Sequence, residues 1–218
     1  MMFLEEKPIK YTSFSVRSLT LIAMLGALSA VLMVLEIPLP FAPAYMKFDI
    51  SDLPALFAGF FLGPVSGSLT AVIKIVLKLV LKGTETAFVG EFMNLLCSLA
   101  FMLPAALCYQ YRHTKSGAFL AVLLGTLLAS IFAILANLYV ALPMYVRLYG
   151  IPMETILAMT QAVNPLVHDM TSFLLFCILP FNLVKYSITS TLTYLLYKRI
   201  GSALRRQLET PRAMDIAK

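Results

Sequence analysis

Charged residues are scarce in this chain. Asp, Glu, Lys and Arg make up 13% of its 218 residues, against about a quarter in a soluble domain. Hydrophobic residues make up 60%, and mean hydropathy is +0.87. So little polar surface cannot cover a folded chain in water, which excludes a soluble domain and points to a bilayer. Lipid offers no hydrogen bonds, so a spanning chain pairs its own backbone groups as helices or as a closed barrel. The apolar runs are long, rich in Leu, Ala, Ile and Met, and lack strand-like alternation. The reading is therefore all-α and polytopic.

Reactive residues are also few. The two histidines, His113 and His168, are far apart, and the three cysteines, Cys97, Cys108 and Cys177, sit within apolar runs. An odd count without metal-ligand spacing makes the cysteines packing residues and predicts no metal site and no cofactor. Neither a G-x-x-x-x-G-K-[ST] phosphate loop nor an H-E-x-x-H pair occurs. His168 beside Asp169 is a weak acid–base pair, because adjacent helical residues do not face each other. The chain is not expected to be an enzyme, and uphill work would need a partner or an ion gradient. The net charge of +6 comes from basic residues at the ends of apolar runs. That reads as membrane orientation, not nucleic-acid binding.

A hydrocarbon core of about 30 Å takes about 20 helical residues. This predicts six spans, over 17–35, 51–62, 65–81, 90–111, 117–142 and 164–197. They form one membrane domain covering 1–218, with short tails at about 1–16 and 202–218. Glu5 and Glu6 near the N-terminus, and the lack of a small-residue cleavage site after the first run, suggest a retained first helix. The second span is short and is broken from the third at Gly63-Pro64, as in a helical hairpin or a broken helix. The last run is too long for one simple span, and Pro180 predicts a kink or an extension there. Eleven of the 17 Lys and Arg lie in the N-terminal tail, the loop after the fourth span and the C-terminal region. The positive-inside rule then places both termini in the cytoplasm. The loops at 38–51, 82–89 and 145–163 face outward and can converge over one mouth.

The segment from Pro38 to Ala55 alternates Lys47, Asp49 and Asp52 with Tyr45, Phe48 and Leu53. A plain connector does not need that chemistry; a small-molecule binding loop does. Thr84, Thr86, Glu91 and Asn94 gather at the start of the fourth helix, Glu91 and Asn94 on one face. They read as helix caps or as ligand groups, and the two roles are compatible. Asn137, Asn182 and Lys185 lie within apolar runs, where polar groups turn toward a cavity or a partner. They either bond between helices and snorkel, or read the polar edge of a flat heterocycle. Lys74, Lys78 and Lys82 form a stripe. Lys74 is expected to have a partner, and Lys78 and Lys82 to snorkel to the outer interface; attraction of an anionic ligand is the alternative. Ala23 and Ala27, with Gly26 and Ala30 beside them, permit close helix approach, within this chain or to a partner membrane protein.

The run from Pro38 to Ala55, Gly63-Pro64 with Gly67, Lys82-Gly-Thr-Glu-Thr, Val89-Gly-Glu91 and Asn94 form one set of features. Asn137-Leu-Tyr, Pro143-Met-Tyr and Pro180-Phe-Asn-Leu-Val-Lys185 extend it. Together, over about residues 15–200, they resemble the riboflavin-specific substrate-binding subunits (S components) of energy-coupling-factor (ECF) transporters. The resemblance implies a six-helix protein of the bacterial plasma membrane that captures riboflavin from outside with high affinity. It implies a transmembrane coupling protein, EcfT, and two cytoplasmic ATPases as partners, with the subunit tipping in the membrane to release vitamin inside. It implies Asn137, Asn182 and Lys185 at the isoalloxazine edge, ligand-side positions for Tyr45, Lys47, Asp49, Thr86 and Glu91, and docking of EcfT on Ala23 and Ala27. Ala87-Phe88 departs from the family pattern, which has smaller, glycine-rich residues there. The alternatives are an S component for another vitamin, an intramembrane enzyme using His168, Asp169 and Glu91, and a membrane scaffold.

Overall fold

The computed structural model describes residues 15–43, 45–150 and 152–209. Its helices are α1 (Val16–Val34), α2 (Asp52–Leu62), α3 (Pro64–Lys82), α4 (Val89–Tyr111), α5 (Lys115–Ala136), α6 (Leu142–Tyr149), α7 (Met153–Gln161), α8 (Met170–Phe173) and α9 (Leu179–Glu209). Two short strands, β1 (Ile37–Pro38) and β2 (Lys47–Phe48), pair antiparallel between α1 and α2. Of the residues counted above toward orientation, Lys7, Lys10, Arg212 and Lys218 lie outside the described residues.

Five apolar helices reach membrane length: Val16–Val34, Pro64–Lys82, Val89–Tyr111, Lys115–Tyr149 and Met170–Leu204. The sixth, α2, has 11 residues, which is roughly 16 Å at the α-helical rise and about half the hydrocarbon core. Every α2 residue from Asp52 to Phe61 is buried, so α2 is a central post with the longer helices around it. Gly63, at φ 100°, turns the chain from α2 into α3, in the hairpin that Gly63-Pro64 predicts. The two helices then touch backbone to backbone. A Cβ on Gly67 would lie 2.9 Å from the Gly59 backbone and 2.6 Å from Met102 Sδ. Away from the loops, Phe60 stacks on Tyr109 at 4.4 Å, Phe61 lies 5.7 Å from Tyr197, and the Tyr109 and Tyr197 hydroxyls bond each other. Between helices in lipid such close packing and paired polar groups hold the bundle, because the surrounding tails are as apolar as the core.

The two longest helices each contain a π segment, Asn137–Ala141 and Leu174–Ile178. Each ends two residues before a proline, Pro143 or Pro180. Proline has no N–H, and its ring crowds the carbonyl four residues back. Widening the turn lets the Leu142 N–H bond the Asn137 carbonyl, and the Leu179 N–H the Leu174 carbonyl, so the helix continues past the proline. The Phe176 carbonyl, four residues before Pro180, accepts instead from Asn164 Nδ2 at 2.9 Å. Pro180 therefore acts through a π segment and a side-chain bond. Helix α9 continues to Glu209, into the segment read as a C-terminal tail, with Leu204 still buried.

Candidate functional site

Three loop regions meet over one end of the bundle, the convergence that their placement predicts. Lys47 on β2 pairs with Glu36 at 3.2 Å and with Glu85 of the α3–α4 loop. Lys82 bonds Glu36 at 2.6 Å and approaches Glu85 at 3.4 Å. Tyr149, at the end of α6, donates to the Glu85 carbonyl at 3.5 Å, and the Tyr45 and Tyr145 rings lie 5.3 Å apart. The Lys47 hydrogen bond, then the charges of Lys47 and Lys82, hold the exposed Glu85 carboxyl below its usual range.

Beneath this mouth lie two adjoining cavities, of about 300 and 110 Å³. Tyr45, Lys47, Gly90 and Asn94 line both. The larger is completed by Asp49, Lys78, Thr86 and Glu91, among others. Asn137, Asn182 and Lys185 face the smaller, beside Cys97, Tyr145, Phe181 and Tyr186. All eight residues expected on the ligand side thus line one of two adjoining spaces.

Charge is distributed through these walls in pairs. Lys185 Nζ lies 2.9 Å from Asp49 Oδ2 and 3.9 Å from Asp52 Oδ2. Asp49 also accepts from the Ser51 N–H at 2.9 Å, from the Ser51 hydroxyl, and from Asn94 Nδ2 at 3.4 Å. Burial alone would raise its pKa, but the charges of Lys185 and Lys74 and the Ser51 and Lys185 hydrogen bonds bring it down to about 2. Asp52 Oδ1 takes Lys74 Nζ at 2.6 Å and the Ser98 hydroxyl, and Lys74 also bonds Ser98 at 2.7 Å. Lys74 thus has the partner expected for a mid-membrane lysine.

Lys78 corrects the snorkelling reading. It is 4% exposed, pairs with Glu91 and donates to the Gly83 carbonyl at 3.0 Å. A carboxylate within reach satisfies the ammonium inside the bundle, so extension to the interface is unnecessary. Lys82 reaches the mouth, where carboxylates neutralise it, so it too belongs to the loop cluster. Five lysines (47, 74, 78, 82 and 185) thereby meet five carboxylates (36, 49, 52, 85 and 91).

The threonines take the capping role expected of them and also hold Glu91. Thr84 and Thr86 accept from the Phe88 and Gly90 N–H groups, each at 2.9 Å, and donate to Glu91 at 2.9 and 3.1 Å. Between them and the helix, Ala87 and Phe88 have φ of 45° and 68°. That left-handed backbone costs a residue with a Cβ about 1 kcal/mol or more, which gives physical meaning to the departure from a glycine-rich pattern. Asn137 and Asn182 each anchor one amide N–H on a carbonyl four residues back, Ala133 or Ile178, both at 2.8 Å. Their side-chain oxygens remain as acceptors. Asn137 opens one π segment and Asn182 lies one turn after the other, a helical irregularity frequent at functional sites.

Neither His168 nor Asp169 lines either cavity. Asp169 caps α8 through the Ser172 N–H at 2.8 Å, and His168 Nδ1 lies 3.3 Å from Gln161. The small residues of α1 divide by face. Gly26 and Ala30 are buried, and a Cβ on Gly26 would meet Ile73 Cγ2 at 2.5 Å. Ala23 and Ala27 are exposed on the outer face of α1. Among the described residues no three His, Cys, Asp or Glu side chains are grouped to hold a metal.

A family profile described as "ECF transporter, substrate-specific component" matches residues 17–197. The chain belongs to that family. This S component is 28% identical over 190 residues to the riboflavin transporter RibU of Staphylococcus aureus (strain TCH60), covering 87% of this chain and 93% of that one. It is 29% identical over 193 residues to the riboflavin transporter FmnP of Bacillus subtilis (strain 168), covering 88% and 96%. A solved structure described as the S component of a bacterial ECF transporter superposes with a TM-score of 0.67 at 29% identity, over 87% of this chain and 98% of that one. The relatives are transporter components, so the S component is a multi-pass membrane binding subunit, not an enzyme.

Sequence reasoning missed the identities of the buried partners. Lys78 with Glu91, Lys74 with Asp52 and Ser98, and Asn164 with Phe176 join residues distant along the chain. The signal for the last was Pro180, which frees a carbonyl that some donor must meet.

Proposed function

We propose that this S component captures riboflavin at the outer face of the bacterial cell membrane and delivers it inside together with EcfT and two cytoplasmic ATPases. The observation that carries this reading is the gathering of Asn137, Asn182 and Lys185 in one cavity that adjoins a second lined by Tyr45, Lys47, Asp49, Thr86 and Glu91. The two spaces together fall within the ~300–1,000 Å³ of small-molecule sites. The pyrimidine edge of the flavin has alternating carbonyl and N–H groups. The asparagine oxygens accept from its N–H, and Lys185 donates to a ring carbonyl. Phe181, Tyr186 and Cys97 border the flat ring, and the ribityl hydroxyls extend toward Thr86, Glu91 and Lys47. A charge-balanced wall suits a neutral ligand. The names of the relatives support the same vitamin.

Both termini lie in the cytoplasm in this reading, and the single membrane domain presents Ala23 and Ala27 to EcfT. The exposure of those two alanines, while Gly26 and Ala30 pack inward, supports that docking role. Without a phosphate loop of its own, the subunit draws on ATP hydrolysed elsewhere. Purification without added vitamin, followed by an absorption spectrum and a flavin-quenching titration, tests the reading. One flavin per chain at submicromolar concentration is expected. A folded protein stabilised by a different vitamin and indifferent to flavins would replace the substrate.

A further inference from the structure

Carboxylates are unevenly distributed along the chain. From residue 92 to 153 and from 170 to 208 the chain carries no Asp or Glu. Apart from Arg147 on α6 and Lys185, which pairs with Asp49, the basic residues of those stretches are Arg112 and Lys115 around the start of α5, and Lys198, Arg199, Arg205 and Arg206 toward the end of α9. Among the described residues, no acidic side chain forms an ion pair with Lys115 or Lys198.

A groove of about 320 Å³ runs between α5 and α9 toward this cationic end. Its sides include Phe119, Leu123 and Tyr194. Phe119 and Leu123 are about half exposed, at 51% and 46%. Its floor is polar: Thr126 and Ser190 hydroxyls bond at 2.8 Å, and Ser190 reaches the Val122 carbonyl at 3.4 Å. Ser187 adds an exposed hydroxyl on the edge. Polar groups on a membrane-facing surface are costly and mark a partner. At the terminal end, Lys115 Nζ stands 4.2 Å from the centre of the Tyr194 ring. Lys198 lies four residues beyond Tyr194, on the same helical face.

We propose that the α5–α9 groove binds an anionic phospholipid of the cytoplasmic leaflet, its phosphate between Lys115 and Lys198 and one acyl chain along Phe119 and Leu123. The groove covers about two helical turns, roughly 10 Å, enough for the upper part of a chain. The hydroxyl floor meets the ester region. Basic pockets between helices on the cytoplasmic side select acidic headgroups because their charge lies beside low-dielectric walls. The inference is independent of which vitamin the outer cavities take.

Native mass spectrometry of the detergent-purified full chain tests it, with phosphatidylglycerol and phosphatidylcholine of identical acyl chains. The expected result is one retained phosphatidylglycerol, favoured at least fivefold over phosphatidylcholine. Lys115→Gln with Lys198→Gln should remove that preference, and Ser187→Phe should reduce retention of both lipids. Both lysines and Ser187 are exposed, and an unchanged thermal midpoint in detergent verifies folding. Equal retention of the two lipids by the unaltered chain would overturn the proposal. So would a preference that survives the double substitution, or displacement of phosphatidylglycerol by millimolar inorganic phosphate, which would reveal a simple ion site.

Discussion

Lys185 Nζ sits 2.9 Å from Asp49 Oδ2, joining α9 to the segment between β2 and α2 across 136 residues of chain. The pair lies at the junction of the two cavities, so it both secures the loop and presents a cation to the ligand.

Asp49→Asn leaves Lys185 buried with Asp52 as its remaining carboxylate, 3.9 Å away. Breaking a buried pair from one side costs about 3–5 kcal/mol. A clear drop in the thermal midpoint in detergent is expected. Lys185→Ala should also weaken flavin binding at least tenfold, about 1.4 kcal/mol, as read by fluorescence quenching.

The same pair sets a pH response. A carboxyl held at about 2 in the fold contributes stability that is complete above its unfolded value and is lost as pH falls through the folded one. With an unfolded value of about 3.9, the Asp49 contribution is constant from pH 8 to about pH 5. It declines below about pH 4. Thermal midpoints measured across that range should be flat and then fall, and Asp49→Asn should flatten the acid limb.

The π segments are predicted to aim Asn137 and Asn182. Asn137→Ala and Asn182→Ala should each weaken flavin binding at least tenfold with the fold intact, about 1.4 kcal/mol apiece. Deleting Leu138 and replacing Pro143 by Ala would restore regular α-helical register. It should abolish binding while preserving helical circular dichroism. Unchanged affinity in that variant would show that the π geometry is incidental.

How much of this was legible in the sequence varies by residue. The membrane class, the α2–α3 hairpin at Gly63 and the three converging loops follow from apolar run length, glycine–proline chemistry and charge position. Asn137, Asn182 and Lys185 were recognisable as cavity-facing groups because they are polar residues stranded in apolar runs within a family pattern. The partners of Lys74 and Lys78 were not legible, because side chains 22 and 13 residues away are brought in by helix packing. The π segments were hidden for another reason. One added residue in a turn scarcely changes hydrophobic periodicity, and a proline alone predicts only a disturbance.

Ala87 and Phe88 hold left-handed backbone at φ 45° and 68°. Glycine carries no Cβ penalty there, although it adds freedom to the unfolded chain. Ala87→Gly is therefore expected to stabilise the α3–α4 loop by up to about 1 kcal/mol. Hydrogen exchange of the loop amides should slow relative to the parent chain.

Charge balance predicts ligand preference. Every lysine lining the cavities already faces a carboxylate, so the extra negative charge of flavin mononucleotide meets no unpaired lysine there. It should bind at least tenfold more weakly than riboflavin. Glu85→Gln, which leaves Glu36 as the one carboxylate shared by Lys47 and Lys82, should narrow that gap in paired titrations.

Ala23→Phe with Ala27→Phe should leave flavin quenching unchanged and block ATP-dependent uptake in vesicles containing the complete transporter. Normal uptake would place the docking surface elsewhere.

The most direct measurement is a quenching titration of riboflavin with the isolated, detergent-purified chain and its Asn137→Ala, Asn182→Ala and Lys185→Ala variants. Saturation at one flavin per chain in the submicromolar range, weakened in all three folded variants, is the predicted result. A folded parent chain that leaves micromolar riboflavin fluorescence untouched, or three variants with parental affinity, would contradict the assignment of these cavities to the vitamin.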